Sequence, residues 1–166
     1  MSIAESLLPE FDREMGITRR LLDRLPDGQF GWKPHEKSMT LGRLAEHLAE
    51  LPTWATVAIE QRGIDMADGR PEEYVPPATR AAVLHMFDRN VSAARASLSG
   101  RSDAELMAPW TLKAQGKELF TMPKATVLRG FVMNHMVHHR GQLSVYLRLQ
   151  NISVPSMYGP SADEAM

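Results

Sequence analysis

The chain predicts an all-α fold, a four-helix bundle with a short β-hairpin or irregular segment between its third and fourth helices. Two observations lead to this. Four stretches carry apolar residues at steps of three and four, and each is bounded by proline, glycine or a capping hydroxyl. The 43% apolar and 23% charged residues are ordinary globular values. The 166 residues read as one domain. A chain of this size buries roughly two-thirds of the surface its unfolded form exposes.

The first helix is expected from Ile3 to Leu25, where Leu7, Phe11, Met15, Thr18, Leu22 and Leu25 make one stripe and Pro26-Asp27-Gly28 ends it. The second begins after Thr40, a capping residue, and carries Leu44, His47, Leu48, Leu51 and Trp54 towards the core, ending around Gln61 to Gly63. Pro52 lies inside it and is expected to kink the helix or break it, having no N–H and clashing with the carbonyl four residues back. The third opens after Pro76 and Pro77, runs through Val83, Phe87, Val91, Ala94 and Leu98, and closes at Gly100. The fourth starts after Pro123 and runs through Val127, Phe131, His135, His138, His139, Gln142 and Tyr146 to about Gln150.

Between the third and fourth helices, Trp110 to Phe120 with Gln115-Gly116 at its centre reads as the hairpin, and β structure is expected nowhere else. The tail from Val154 to Glu164 is irregular, but Met157 and Tyr158 offer contacts back to the bundle. The stretch from Arg62 to Pro76 could span on the order of 50 Å, longer than a 20-residue helix, so a crossover connection is as reasonable as an up-down-up-down order.

Charge and composition remove several classes of function. A net charge of -1 and a pI near 6.6 make no electrostatic case for nucleic acid or an anionic membrane. Glu5, Glu10 and Asp12 interrupt the N-terminal stretch and no apolar run reaches a membrane span, so neither signal peptide nor anchor is expected and the location reads as cytoplasmic. The absence of cysteine excludes thiolate ligands, a cysteine nucleophile and redox disulfides. No phosphate loop, nucleophile elbow or dinucleotide fingerprint occurs.

The chemistry-bearing residues are histidines. His135 and His139 stand at i and i+4 of one helix, so both imidazoles share a face and can chelate one ion, with a third donor reaching across from a neighbouring helix. His47 is the histidine of the second helix, although a single histidine on an apolar face is more often a hydrogen-bonded core residue. His138 forms an i, i+3 pair with His135 that could also chelate; it reads here as a pocket residue beside the ligands. His35 and His85 read as loop and surface positions. Zinc peptidases of the helical type place glutamate directly after the first histidine, where this chain has Met136, so that chemistry is disfavoured.

The string Asn134-His135-Met136-Val137-His138-His139-Arg140-Gly141-Gln142 resembles the last-helix signature of the DinB-like, damage-inducible four-helix-bundle proteins. The likeness extends to Trp32-Lys33-Pro34, to Met39-Thr40-Leu41-Gly42 leading into Ala45-Glu46-His47-Leu48-Ala49, to Pro109-Trp110-Thr111-Leu112 and to the tail from Val154 to Glu164. It implies an up-down-down-up bundle in which His47, His135 and His139 hold one divalent ion, for which a three-imidazole donor set suits zinc or nickel. It also implies a homodimer, and relatives that transfer a low-molecular-weight thiol to an electrophile or perform thiol-dependent isomerisation. The family name records induction by DNA damage, not DNA binding.

Such an ion lowers the pKa of a bound water or thiol, which would compensate for the missing cysteine. Glu50, Gln142 and Tyr146 are the candidate catalytic helpers. Each also has a plainer role, Glu50 as a solvated helix residue and the other two as interhelical hydrogen-bond formers. Trp54 and Trp110 could wall an apolar substrate, though core packing is the more usual role, and Met133 and Met136 read as gap fillers. The readings carried forward are a metal-dependent thiol transferase acting on a small-molecule electrophile with a low-molecular-weight thiol as co-substrate, a metal-dependent small-molecule hydrolase, and a non-catalytic metal- or ligand-binding stress protein.

Overall fold

The computed structural model describes residues 1–66 and 74–165. Its elements in chain order are α1 (Ile3–Leu22), α2 (Leu41–Glu60), β1 (Gly63–Asp65), α3 (Arg80–Leu98), α4 (Asp103–Met107), β2 (Pro109–Ala114) and β3 (Lys117–Pro123). A final helical run comprises α5 (Lys124–Val127), a π-helical stretch (Leu128–Asn134) and α6 (His135–Leu149).

Contacts between helices fix their directions. Arg19 reaches Asp88 and Arg95 reaches Asp12, so α1 and α3 run antiparallel. Asn90 pairs with Ala49, and Arg101 just past α3 pairs with Glu60, so α2 and α3 run parallel. Trp54 lies against Phe131, and Tyr146 donates to the Met39 carbonyl, so α6 opposes α2. Glu10 holds Arg129 and Glu14 holds Arg140, so α6 is parallel to α1. The bundle is therefore up-down-down-up, with its crossover between α2 and α3.

Side-chain capping begins α1, α2 and α3 close to where the sequence places them, while the last helical run starts after Pro123 without a side-chain cap. Ser2 and Glu5 close a capping box on α1, and Thr40 and Thr79 cap α2 and α3. The loop before α2 also supplies acceptors, because Leu41 and Gly42 donate their N–H groups to the carbonyls of Trp32 and Phe30. Gly42 is needed for this approach, since a Cβ there would lie 2.8 Å from the Phe30 ring. The stripe Leu7, Phe11, Met15, Thr18, Leu22 is buried as expected. The helix itself stops at Leu22, and Leu25 reaches the core through a tighter turn in which its N–H bonds to the carbonyl of Leu22, three residues back.

Several expectations need correction. Pro52 does not divide α2, which runs unbroken from Leu41 to Glu60. Pro52 removes the donor to the Leu48 carbonyl; at the next carbonyl, that of Ala49, the Asn90 side-chain amide of the neighbouring helix donates at 2.8 Å. β structure is not confined to the hairpin: β1 pairs in parallel with β2, Gly63 opposite Thr111, and the hairpin extends over Pro109–Pro123. A side chain at Gly63 would put its Cβ 2.2 Å from the Thr111 carbonyl oxygen. The hairpin turn is Gln115-Gly116, both at positive φ, as a two-residue type I′ turn demands. In the last helical run the buried residues include Leu128, Val132, Met136, Leu143 and Leu147, one position beyond Phe131, His135, Gln142 and Tyr146, which stay partly or fully exposed. The core stripe and the histidine stripe are thus adjacent faces of one helix. The short α4, opened by a Ser102–Glu105 capping box, was not anticipated.

Among the described residues no helix is long and apolar enough to cross a membrane. The tail does pack back: Met157 lies against the core and the Tyr158 hydroxyl reaches Arg140 and Glu14.

Candidate metal centre

His47 lies in the first half of α2, while His135 opens α6 at the end of the π-helical stretch and His139 follows one turn later. Because α6 opposes α2, the three imidazoles meet between them. The Nε2 atoms of His135 and His139 are 2.8 Å apart and those of His47 and His135 are 3.3 Å apart. One ring nitrogen from each histidine lies within 4.8 Å of the other two. Nitrogens about 2.0–2.1 Å from a tetrahedral zinc lie roughly 3.3 Å from one another, so this spacing suits one shared ion.

The far sides of the rings point to the same use. His135 Nδ1 lies 3.3 Å from the Phe131 carbonyl, within the π-helical stretch, and His139 Nδ1 lies 2.7 Å from Gln142 Oε1. With their protons on Nδ1, both rings donate outward and turn bare Nε2 lone pairs towards each other. Two such acceptors at 2.8 Å repel unless a cation lies between them. The amide of Gln142 continues the chain by placing its NH2 3.1 Å from His138 Nε2. Carbonyl and amide partners of this kind orient histidine ligands in metal sites.

Electrostatics favour the neutral, ligating form. Burial pushes the His135 imidazole below its usual range, and the charge of His138 adds to this against the Phe131 hydrogen bond. Burial likewise depresses His139, with His135, His138 and Arg43 contributing and the Gln142 hydrogen bond opposing. His139 is buried, while His47 and His135 are partly open.

Two cavities reach the triad from different residues. One of about 840 Å³ is bounded by α2, β1, Tyr74 and α3 and includes His47, Glu50 and Trp54. Another of about 490 Å³, lined by Gly130, Phe131, Asn134, His135 and His138, opens on the π-helical side.

The DinB family model matches residues 1–166. The chain belongs to the DinB family. It is 28% identical over 164 residues to the uncharacterized protein YrdA of Bacillus subtilis, covering 96% of this chain and 90% of that one. Among solved structures, a DinB-like protein from Bacillus cereus superposes with a TM-score of 0.70 at 24% identity, covering 93% of this chain and 97% of its own. The DinB-like protein YjoA of Bacillus subtilis gives 0.68 at 17% identity, covering 97% and 99%. At these identities the structural likeness carries the fold.

Within this DinB-family bundle the expected helpers separate. Gln142 touches His139 directly. Glu50 lines the larger cavity with His47 and accepts from Arg43 at 3.4 Å. Tyr146 turns to the loop before α2, its hydroxyl on the Met39 carbonyl and its ring edge-on to Trp32. His138 is exposed beside the triad and outside the three-residue cluster. His35 accepts from the Lys37 N–H in an exposed turn, and His85 is exposed on α3. Trp54 does line the cavity, whereas Trp110 is fully buried.

Two features went unread in the sequence. Glu46, 2% exposed, receives Arg43 at 3.3 Å and the Tyr74 hydroxyl at 2.6 Å beneath the cavity wall. Arg140, 1% exposed, reaches the Glu14 carboxylate at 2.6 Å, the Glu14 carbonyl and Thr18 hydroxyl at 3.1 Å, and Tyr158. Burial, then Glu14, pushes the Tyr158 phenol above its usual range, so it donates to Glu14 at 2.6 Å. The arginine after His139 thus ties α6 to α1 and the tail. Its only sequence signal is its place in the His-Arg-Gly-Gln string.

Proposed function

We propose that this chain is a metal-dependent transferase joining a low-molecular-weight thiol to a small electrophile. The observation that carries the reading is the convergence of His47, His135 and His139 nitrogens beside a cavity of about 840 Å³, in a chain with no cysteine of its own. An imidazole donor set suits zinc or nickel, and three protein ligands leave a position open; a bound divalent ion there would supply Lewis acidity that makes a thiol or water nucleophilic at neutral pH. Gln142 and the Phe131 carbonyl hold the His139 and His135 rings in the ligating tautomer. Trp54 and Met86 give the cavity an apolar wall that excludes water from a substrate, and Arg43 holds the Glu50 carboxylate in place.

Thiol transfer is preferred to hydrolysis because Met136 stands where the helical metallohydrolase pattern carries its general base. The test is to incubate the zinc- or nickel-loaded protein with chlorodinitrobenzene, with and without added thiols. The expected result is conjugation that saturates with thiol, disappears with chelator and returns with metal in proportion to occupancy. Metal-dependent turnover of esters without thiol would support the hydrolase instead. Inertness with every thiol and electrophile would favour a binding protein of the stress response. A cytoplasmic location and a homodimer, the latter drawn from the family resemblance, belong to the same reading; a monomer by light scattering at micromolar concentration would remove the dimer.

A further inference from the structure

Arg89 differs from most arginines of the bundle. Arg19, Arg24, Arg95, Arg101, Arg129 and Arg148 each hold a carboxylate oxygen at 2.9 Å or closer. Among the described residues Arg89 holds none, and its helix offers none: three and four residues away stand Met86, Ser92, His85 and Ala93, and the adjacent Asp88 is engaged by Arg19. Among the described residues Arg13, Arg20, Arg62 and Arg80 also lack a carboxylate, Arg20 and Arg80 being on backbone carbonyls, but none of the four lines the cavity that includes His47.

Arg89 lines the cavity that includes His47. The other charged groups of that wall, and the Asn90 amide, are already committed. Arg43 is shared by Glu46 and Glu50, Asp65 accepts the Gly116 N–H at 2.6 Å, and the Asn90 amide is on the Ala49 carbonyl. That last bond joins the residue after Arg89 to the residue two beyond His47, and Arg89 and His47 line the same cavity. Packed helices stand about 8–10 Å apart, so Arg89 and His47 fall within the span of one small molecule.

We propose that Arg89 is the specificity residue of this cavity, and that the molecule taken there carries a carboxylate for its guanidinium, with its thiol end towards His47. The apolar middle of such a molecule meets Trp54 and Met86. This rests on the transferase reading and names the class of its thiol: an anionic one, held at the end remote from sulfur.

The experiment uses mercaptohexanoate and its neutral analogue mercaptohexanol on the full chain. Cobalt-loaded protein reports sulfur at the ion through its charge-transfer absorption, and zinc-loaded protein reports carboxylate at Arg89 through the side-chain Nε–H NMR signal. Mercaptohexanoate is expected to bind about tenfold more tightly, the size of one charge-assisted hydrogen bond in a solvated cavity. It should shift the Arg89 signal where mercaptohexanol does not. Arg89→Gln should abolish the preference and Arg89→Lys should keep part of it, with cobalt content confirming that the variants are folded. A cobalt response with no preference, or a preference that survives in Arg89→Gln, overturns the proposal and leaves the thiol reading standing. An Arg89 shift without any cobalt response upholds anion recognition and removes the thiol reading. Silence in both signals defeats both.

Discussion

At the scale of single residues, Gln142 links the sequence signature to the ligand geometry. Its side-chain oxygen lies 2.7 Å from His139 Nδ1, a contact that favours the proton there and leaves Nε2 free to ligate. Gln142→Ala should weaken metal affinity about 10–100-fold with the fold retained, measured by competition against a chromophoric chelator. Unchanged affinity would mean that packing alone orients the ring. The depressed histidines also make a pH prediction. In metal-free protein His135 and His139 should titrate below the ordinary value of 6.5, which NMR of the ring protons would show directly. Between 6.5 and those lower values the unfolded chain binds more protons than the folded one. Stability of the metal-free protein should therefore fall as pH drops through that window, and proton competition should empty the metal site over the same direction of change. A metal-free midpoint for both rings above 6.5 would contradict the burial argument.

At the scale of elements, the join between α1, α6 and the tail rests on a buried ion pair. Glu14→Ala leaves Arg140 charged and short of its carboxylate, with an expected loss of roughly 3–5 kcal/mol by chemical denaturation. Replacing both partners at once, Glu14→Leu with Arg140→Met, should cost clearly less, since neither charge is then stranded. Equal losses in the two variants would show that the pair is not energetically coupled. The elements also show what a sequence can reveal. The caps at Ser2, Thr40 and Thr79 and the stripe from Leu7 to Leu22 were legible because local chemistry sets them. The π-helical stretch and three-residue β1 were not. The first has no composition of its own, and the second exists through pairing with β2, about fifty residues later in the chain.

At the scale of the whole molecule, the up-down-down-up order is what brings the site together. It runs α6 against α2, so an i, i+4 pair on one helix meets a lone histidine on another. The pair was readable from spacing, and the third partner came from the family resemblance, because nothing local to His47 distinguishes a ligand from a core histidine. Glu46 and Arg140 stayed hidden for the opposite reason: charged residues in helices are usually solvated, and only the assembled bundle shows what encloses them.

The central claim is that His47, His135 and His139 act together on one ion. Metal content of the folded protein, measured by elemental analysis at neutral pH for the native sequence, His47→Ala and His138→Ala, tests it most directly. One divalent ion per chain is expected in the native protein and in His138→Ala, and none in His47→Ala, with the helical circular dichroism of all three alike. Stoichiometric metal in folded His47→Ala, or its loss from His138→Ala, would contradict the triad.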